Sequence, residues 1–380
     1  MSLAGLFSSV VTVWQYVYPY LLLITPIVFF HELGHFSVAR ACGVRVETFS
    51  IGFGPIIASW RDRKNTLWKI CWFPIGGYVK FFGDMDAASA PDRENMEKMP
   101  AADRAVAFPF KPLYQRAMIV AAGPVANFVL ALVILSGLLL ALGKAVSLPI
   151  VVTVTPHGPA AAAGIKPGDL VTKIDDNKIE SFDDIPAYLW VRPVEPLTVT
   201  VARDGKPLVF RVVPQVMEIK DGLGAVHHVP ALGISTVFSK KTVRIVRYGP
   251  VGAVAEAGNE VWDIASSTLG YLGRVVTGQV GASELHGPVG MAVISKKVAS
   301  ISFLALVNLA ALISVSIGLV NLFPIPILDG GHLLYYGCEA VLGRPLGARA
   351  QDVGFRLGLA VVLALFVFLT WNDLVRPIHF

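Results

Sequence analysis

Apolar residues run almost unbroken through four stretches of this chain, and each is close to a membrane-crossing length. They are Tyr16–Ala41, Ala117–Gly143, a segment within Val298–Leu328, and the shorter Leu357–Trp371. A helix needs about 20 consecutive apolar residues to cross a bilayer. The pattern predicts a polytopic α-helical membrane protein with about four transmembrane helices.

Between the second and third stretches the period changes. Short β-rich runs, Ile150–Val154, Leu197–Val201 and Leu208–Val213, are separated by turn signals. Asp204-Gly205 is a hairpin turn between two of them. The run from Gly158 through Gly164-Ile165-Lys166-Pro167-Gly168-Asp169-Leu170 resembles the bacterial PDZ signature. An inserted, β-rich, PDZ-like domain is therefore expected over residues 144–235. Such a domain holds extended peptides by adding a strand to a sheet edge, or it only blocks access. Residues 236–297 read as an amphipathic helical linker, with Glu256, Glu260 and Asp263 on one face of a helix from Pro250 to about Gly278. Residues 1–143 and 298–380 form the two parts of a membrane core. Within the first part, Cys71–Lys80 carries Gly76-Gly77 among aromatics and is expected to form a hairpin dipping toward the membrane.

Composition fits this picture. Hydrophobic residues make up 54% and charged residues 16%, too apolar a balance for an ordinary soluble protein. The net charge of +5 is spread along the chain, with no aromatic-laced basic stripe of the kind that binds nucleic acid. Arg40, Arg45, Arg61, Arg63, Lys64, Lys69, Lys111 and Arg116 lie between spans one and two, and Arg344, Arg349 and Arg356 lie between spans three and four. The positive-inside rule places both connections in the cytoplasm, and both termini and the inserted domain outside. The first span lacks the basic segment of a cleavable signal and is expected to be retained. Cys42, Cys71 and Cys338 form no CxxC pair and read as apolar filler.

Candidate chemistry begins where charge interrupts the first span. Met1–Phe30 hold no charged side chain, and His31-Glu32-Leu33-Gly34-His35 follows. Ionisable groups at membrane depth are costly and persist mainly where they do chemistry or transport. Histidines four apart share one helix face and can bind one metal ion, with the adjacent glutamate projecting elsewhere as a base. A third ligand is needed. Asp329 is the outstanding candidate, the first charge after the uncharged Val298–Leu328 and the end of Asn321-Leu322-Phe323-Pro324-Ile325-Pro326-Ile327-Leu328-Asp329-Gly330-Gly331. The prolines disfavour continuous helix and the glycines permit tight turning, so this helix end can aim a carboxylate inward. Asn127 reads as hydrogen-bonding glue between helices. Solvated or structural roles are expected for His157, His227, His228, His286 and His379, and a supporting role for His332. A zinc transporter or a peptide-holding membrane adaptor would share some of these features. The first needs polar ligands along a whole path, and the second leaves the buried charges unexplained.

The paired motifs resemble the site-2 protease family of intramembrane zinc metalloproteases, in its bacterial regulator of sigma-E protease branch. Phe49-Ser50-Ile51-Gly52-Phe53-Gly54-Pro55, Pro74-Ile75-Gly76-Gly77-Tyr78-Val79-Lys80 and Gly123-Pro124-Val125-Ala126-Asn127-Phe128 look like further segments of that group. The resemblance implies that His31, His35 and Asp329 hold Zn2+, that Glu32 is the catalytic base, and that Asn321 contacts the substrate backbone. It implies that Gly76, Gly77 and Tyr78 belong to a membrane-associated β-hairpin that pairs with unwound substrate. Members of the family sit in the bacterial inner membrane. They cleave single-span proteins such as anti-sigma factors during envelope stress signalling, after another protease has removed most of the outer domain. The better-known member carries two PDZ domains in tandem, whereas this chain shows one.

Overall fold

The computed structural model describes residues 3–83, 99–190, 194–220, 226–237, 239, 242–278 and 285–375. The chain divides into two compact units. One is built from the residues up to Leu138 and again from Pro250, and the other spans Leu139–Gly249.

The first unit is helical apart from one sheet. Helix α1 covers Leu3–Ala41, strands β1 and β2 cover Val46–Arg61 and Leu67–Phe81, and α2 covers Leu113–Leu142. After the second unit come α3 (Pro250–Val276), α4 (Pro288–Ile301), α5 (Phe303–Asn321), α6 (Asp329–Leu342) and α7 (Ala348–Val375). Among the described residues, four segments are long and apolar enough to cross a membrane: Thr12–Ala41, Leu113–Leu142, Phe303–Asn321 and Arg349–Val375. Large apolar side chains such as Val361, Leu363, Phe366, Val367 and Phe368 stay exposed on α7. A helix apolar on all sides belongs in lipid or in a core.

The third apolar stretch is not one helix. Ser302, extended at φ −170° and ψ 157°, ends α4 and caps α5, its hydroxyl accepting from the Ala305 N–H. A serine oxygen satisfies a free donor at a new helix start.

Strands β1 and β2 form an antiparallel, heavily bulged pair in which Ser50 lies opposite both Tyr78 and Lys69, and Phe49 opposite both Val79 and Trp68. Residues 48–51 are thus flanked on both sides, while the ladder gives residues 77–81 partners on β1 alone. Phe49, fully buried, stacks on Trp68 with centroids 4.4 Å apart, and Phe36 of α1 packs edge-on against both. The far end of the sheet exposes Phe53, Ile56, Ile57, Trp60, Trp72 and Phe73, an apolar surface suited to the membrane boundary.

The second unit is β-rich. Strands β3 to β12 are Lys144–Ser147, Thr153–Val154, Leu170–Ile174, Asn177–Lys178, Leu197–Arg203, Lys206–Val212, Gln215–Lys220, Val226–Ala231, Ile234–Ser235 and Val243–Val246. Its central sheet has the order β6-β5-β7-β8. The β7–β8 hairpin turns at Asp204 and Gly205, both with positive φ (51° and 77°). This is the geometry that Asp-Gly favours. Val151, Val171, Ile174, Val199, Val201, Val212 and Leu232 make the buried core. Strand β12 pairs with β3, so the stretch 236–297 is not all helix but begins with a strand. This pairing extends the unit past residue 235.

Candidate metal centre

The site lies within the first unit. His31 and His35 sit one turn apart on α1, their rings edge to face with centroids 4.8 Å apart. The Nε2 atoms are 3.2 Å from each other. Asp329, the first residue of α6, brings Oδ2 to 3.2 Å from His31 Nε2 and Oδ1 to 3.5 Å from His35 Nε2. The three donor groups lie within 4.8 Å of one another.

The donor set fits zinc. Zinc takes imidazole nitrogen and carboxylate oxygen at about 2.0–2.2 Å in a tetrahedral array, so neighbouring donors stand about 3.3–3.5 Å apart. The two Nε2 atoms stand 3.2 Å apart, and each faces one Asp329 oxygen at 3.2 or 3.5 Å, spacings close to those edges. Two imidazoles and a carboxylate leave one coordination position for water or substrate, the arrangement of a catalytic site.

Each ligand is aimed by its surroundings. His35 Nδ1 lies 2.9 Å from the Ile119 carbonyl oxygen on α2. A carbonyl only accepts, so this contact puts the proton on Nδ1 and frees Nε2. His31 Nδ1 lies 3.3 Å from the Asn127 side-chain amide, also on α2. Asp329 follows the turn at Phe323–Leu328, where the Ile325 N–H donates to the Phe323 carbonyl and the Leu328 N–H to that of Ile325. Further along α6, Glu339 accepts from both terminal nitrogens of Arg116 on α2, at 2.5 and 3.2 Å, so α2 holds both the histidines and the helix bearing Asp329.

Small residues make these approaches possible. A Cβ on Gly34 would run into the Ala122 carbonyl and the Ala126 side chain, so α1 and α2 cross at the middle of the His-Glu-Leu-Gly-His run. A Cβ on Gly123 would overlap the His35 ring and lie 2.9 Å from His31 Cε1. Both imidazoles therefore rest on bare backbone.

A cavity of about 210 Å³ opens at the site, lined by His31, Glu32, His35, Gly77, Tyr78, Asn321, Asp329 and His332 among others. Glu32 and Asn321 thus share one space with the three donors. Gly77 brings the β2 backbone against Glu32, for a Cβ there would be 3.0 Å from Glu32 Cγ. Gly76 does not line the cavity. It packs beneath Phe53, whose ring also stacks on Tyr78 at 6.1 Å. His332 lines the cavity without joining the donor cluster.

The model of Peptidase family M50 matches residues 19–365. The chain belongs to Peptidase family M50. A protein of Agrobacterium fabrum named as a zinc metalloprotease is 44% identical over 359 residues, covering 94% of this chain and 95% of that one. Metalloprotease MmpA of Caulobacter vibrioides is 40% identical over 378 residues, with 94% of each chain covered. This M50 chain is accordingly a zinc metalloprotease, a multi-pass membrane protein of the site-2 protease family that its motifs resemble. The PDZ domain of the SdrC-like protein of Listeria monocytogenes covers 23% of this chain and 83% of its own, at 24% identity and a TM-score of 0.19. That likeness is too slight to carry an argument.

Other predicted positions lie elsewhere. His286 Nδ1 is 3.6 Å from Asp373, and His157 adopts a positive φ in the second unit. His379 lies outside the described residues, as do the side chains of His227 and His228. Cys42, Cys71 and Cys338 are free thiols. Asn127 does reach across to another helix, as its reading as glue expects, but the sequence did not name His31 as its partner, nor show the roles of Gly34 and Gly123. The segment Gly123-Pro124-Val125-Ala126-Asn127 did carry the signal, a polar residue four positions from a glycine in an otherwise apolar span.

Proposed function

We propose that this protease hydrolyses a peptide bond in or near the transmembrane segment of single-span membrane proteins. The observation that carries this reading is that His31, Glu32 and His35 lie on a membrane-length helix, with Asp329 brought up to both imidazoles and Gly77 of the one-sided strand 77–81 against Glu32. Backbone freed from a helix has no water to bond in lipid, and a sheet edge supplies the missing partners. Gly77 and Tyr78 would pair with unwound substrate there, with Gly76 shaping the strand from beneath.

His31, His35 and Asp329 would hold the zinc. Zinc, when bound, brings the pKa of a water toward neutrality and polarises the scissile carbonyl. Glu32 would take the proton from the attacking water and deliver it to the leaving amine. The Asn321 side-chain amide would donate to the substrate carbonyl oxygen as it gains charge.

The substrate class we favour is the anti-sigma factor, cut after prior removal of its outer domain, in envelope stress signalling. The enzyme would lie in the bacterial inner membrane with the basic connections cytoplasmic and the PDZ-like domain periplasmic, where it would take a peptide ligand or limit access. Incubating purified full-length protein with a single-span anti-sigma factor tests the reading. Cleavage that stops with a chelator and in Glu32→Gln supports it; cleavage by the Gln variant at the parent rate would refute it.

A further inference from the structure

Both histidines are oriented from α2, but by different chemistry. His35 meets a backbone carbonyl, which admits one tautomer. His31 meets the Asn127 amide, which has an acceptor on one side and a donor on the other. Asn127 is fully buried. Its Nδ2 faces His31 Nδ1 at 3.3 Å, and its Oδ1 is buried with no hydrogen-bond partner.

The amide's orientation decides which His31 nitrogen carries the proton. With Nδ2 toward Nδ1 the proton would belong on Nε2, which faces Asp329 Oδ2 at 3.2 Å, and that nitrogen would have no lone pair for a metal. Turning the amide by half a turn presents Oδ1 to Nδ1. The ring proton then moves to Nδ1, and Nε2 is freed toward His35 and Asp329. Metal-binding histidines nearly always donate their other N–H in this way.

We infer that Asn127 is a positioning residue for the zinc site. Its Oδ1, turned to His31 Nδ1, holds that ring in the metal-binding tautomer. This rests on His31, His35 and Asp329 being the zinc ligands. The backbone has a separate task, since the Asn127 carbonyl accepts from Ser314 Oγ of α5 at 2.8 Å. That bond survives side-chain substitution, so the two roles can be separated.

Full-length protein in detergent provides the test, with zinc affinity read by competition against a chromophoric chelator. Asn127→Leu keeps the number and branching of the side-chain heavy atoms and removes the acceptor. Its zinc Kd should rise about 10–100-fold, the usual cost of losing such a partner. Asn127→Asp keeps an acceptor and should weaken zinc binding less than the Leu variant does. The cobalt-substituted Leu variant should show an altered visible spectrum, and the Asp variant should not. Should the Leu variant fail to fold, Asn127→Val takes its place. A purely structural Asn127 would lower the melting temperature of the metal-free variants and leave the zinc Kd and cobalt spectrum unchanged; that result overturns the inference. Equal weakening in Leu and Asp variants overturns it too. If the parent itself binds no zinc, the fault lies with the three-ligand reading.

Discussion

At the scale of single residues, the centre is a set of costly placements that a shared cation would account for. Asp329→Ala should abolish stoichiometric zinc binding, read by elemental analysis of purified protein, because two ligands hold zinc far more weakly than three. Glu32→Gln should retain zinc while cleavage falls about 10²–10⁴-fold, the share usual for a general base. Gly123→Ala should also lose zinc, because its new Cβ would occupy the space of the His35 ring. His31, Glu32, His35 and Asp329 were legible because each interrupts an uncharged apolar run, where an ionisable side chain needs a reason. Asn127 was legible only as a polar residue in a span. Its contact with His31 is tertiary and depends on the close crossing at Gly34, which no local pattern encodes.

At the scale of elements, length and period revealed the spanning helices, and chemistry at their ends determined the rest. Ser302 splits a stretch that hydropathy reads as continuous, because a capped helix end adds no charge to the sequence. Strand β12 escaped the helical-linker reading because four residues are too few to establish a period. The double flanking of residues 48–51 was likewise hidden, since register depends on which side chains bury together. In the second unit, Arg203 donates to both Asp169 oxygens at 2.7 Å, and the Lys166 N–H donates to the same carboxylate at 2.8 Å. The Arg203 hydrogen bonds hold the Asp169 carboxyl below its usual range. A lowered folded-state pKa stabilises above the unfolded value of about 3.9, and the gain is lost as pH falls through the depressed value. Amide exchange over 145–235 in the full-length protein should therefore accelerate below about pH 4, and Asp169→Asn should remove that acid step. In the first unit, Glu339→Gln should destabilise by about 2 kcal/mol through its loss of charge-assisted bonds to Arg116, seen as a lower melting temperature.

At the scale of the whole molecule, distant parts of the chain serve one centre. The first span, the crossing helix α2, the strand at Gly77 and the helix opening at Asp329 come together within one unit, although more than half the sequence separates His35 from Asp329. Membrane burial makes that convergence possible, because helices in lipid meet through small residues and polar contacts rather than through water exclusion. The most direct measurement is zinc X-ray absorption on purified, cleavage-competent protein. The account predicts one zinc per chain with a shell of imidazole nitrogen and carboxylate oxygen at about 2.0–2.2 Å, lost in Asp329→Ala. Active protein without zinc, or a shell containing cysteine sulfur at about 2.3 Å, would contradict it.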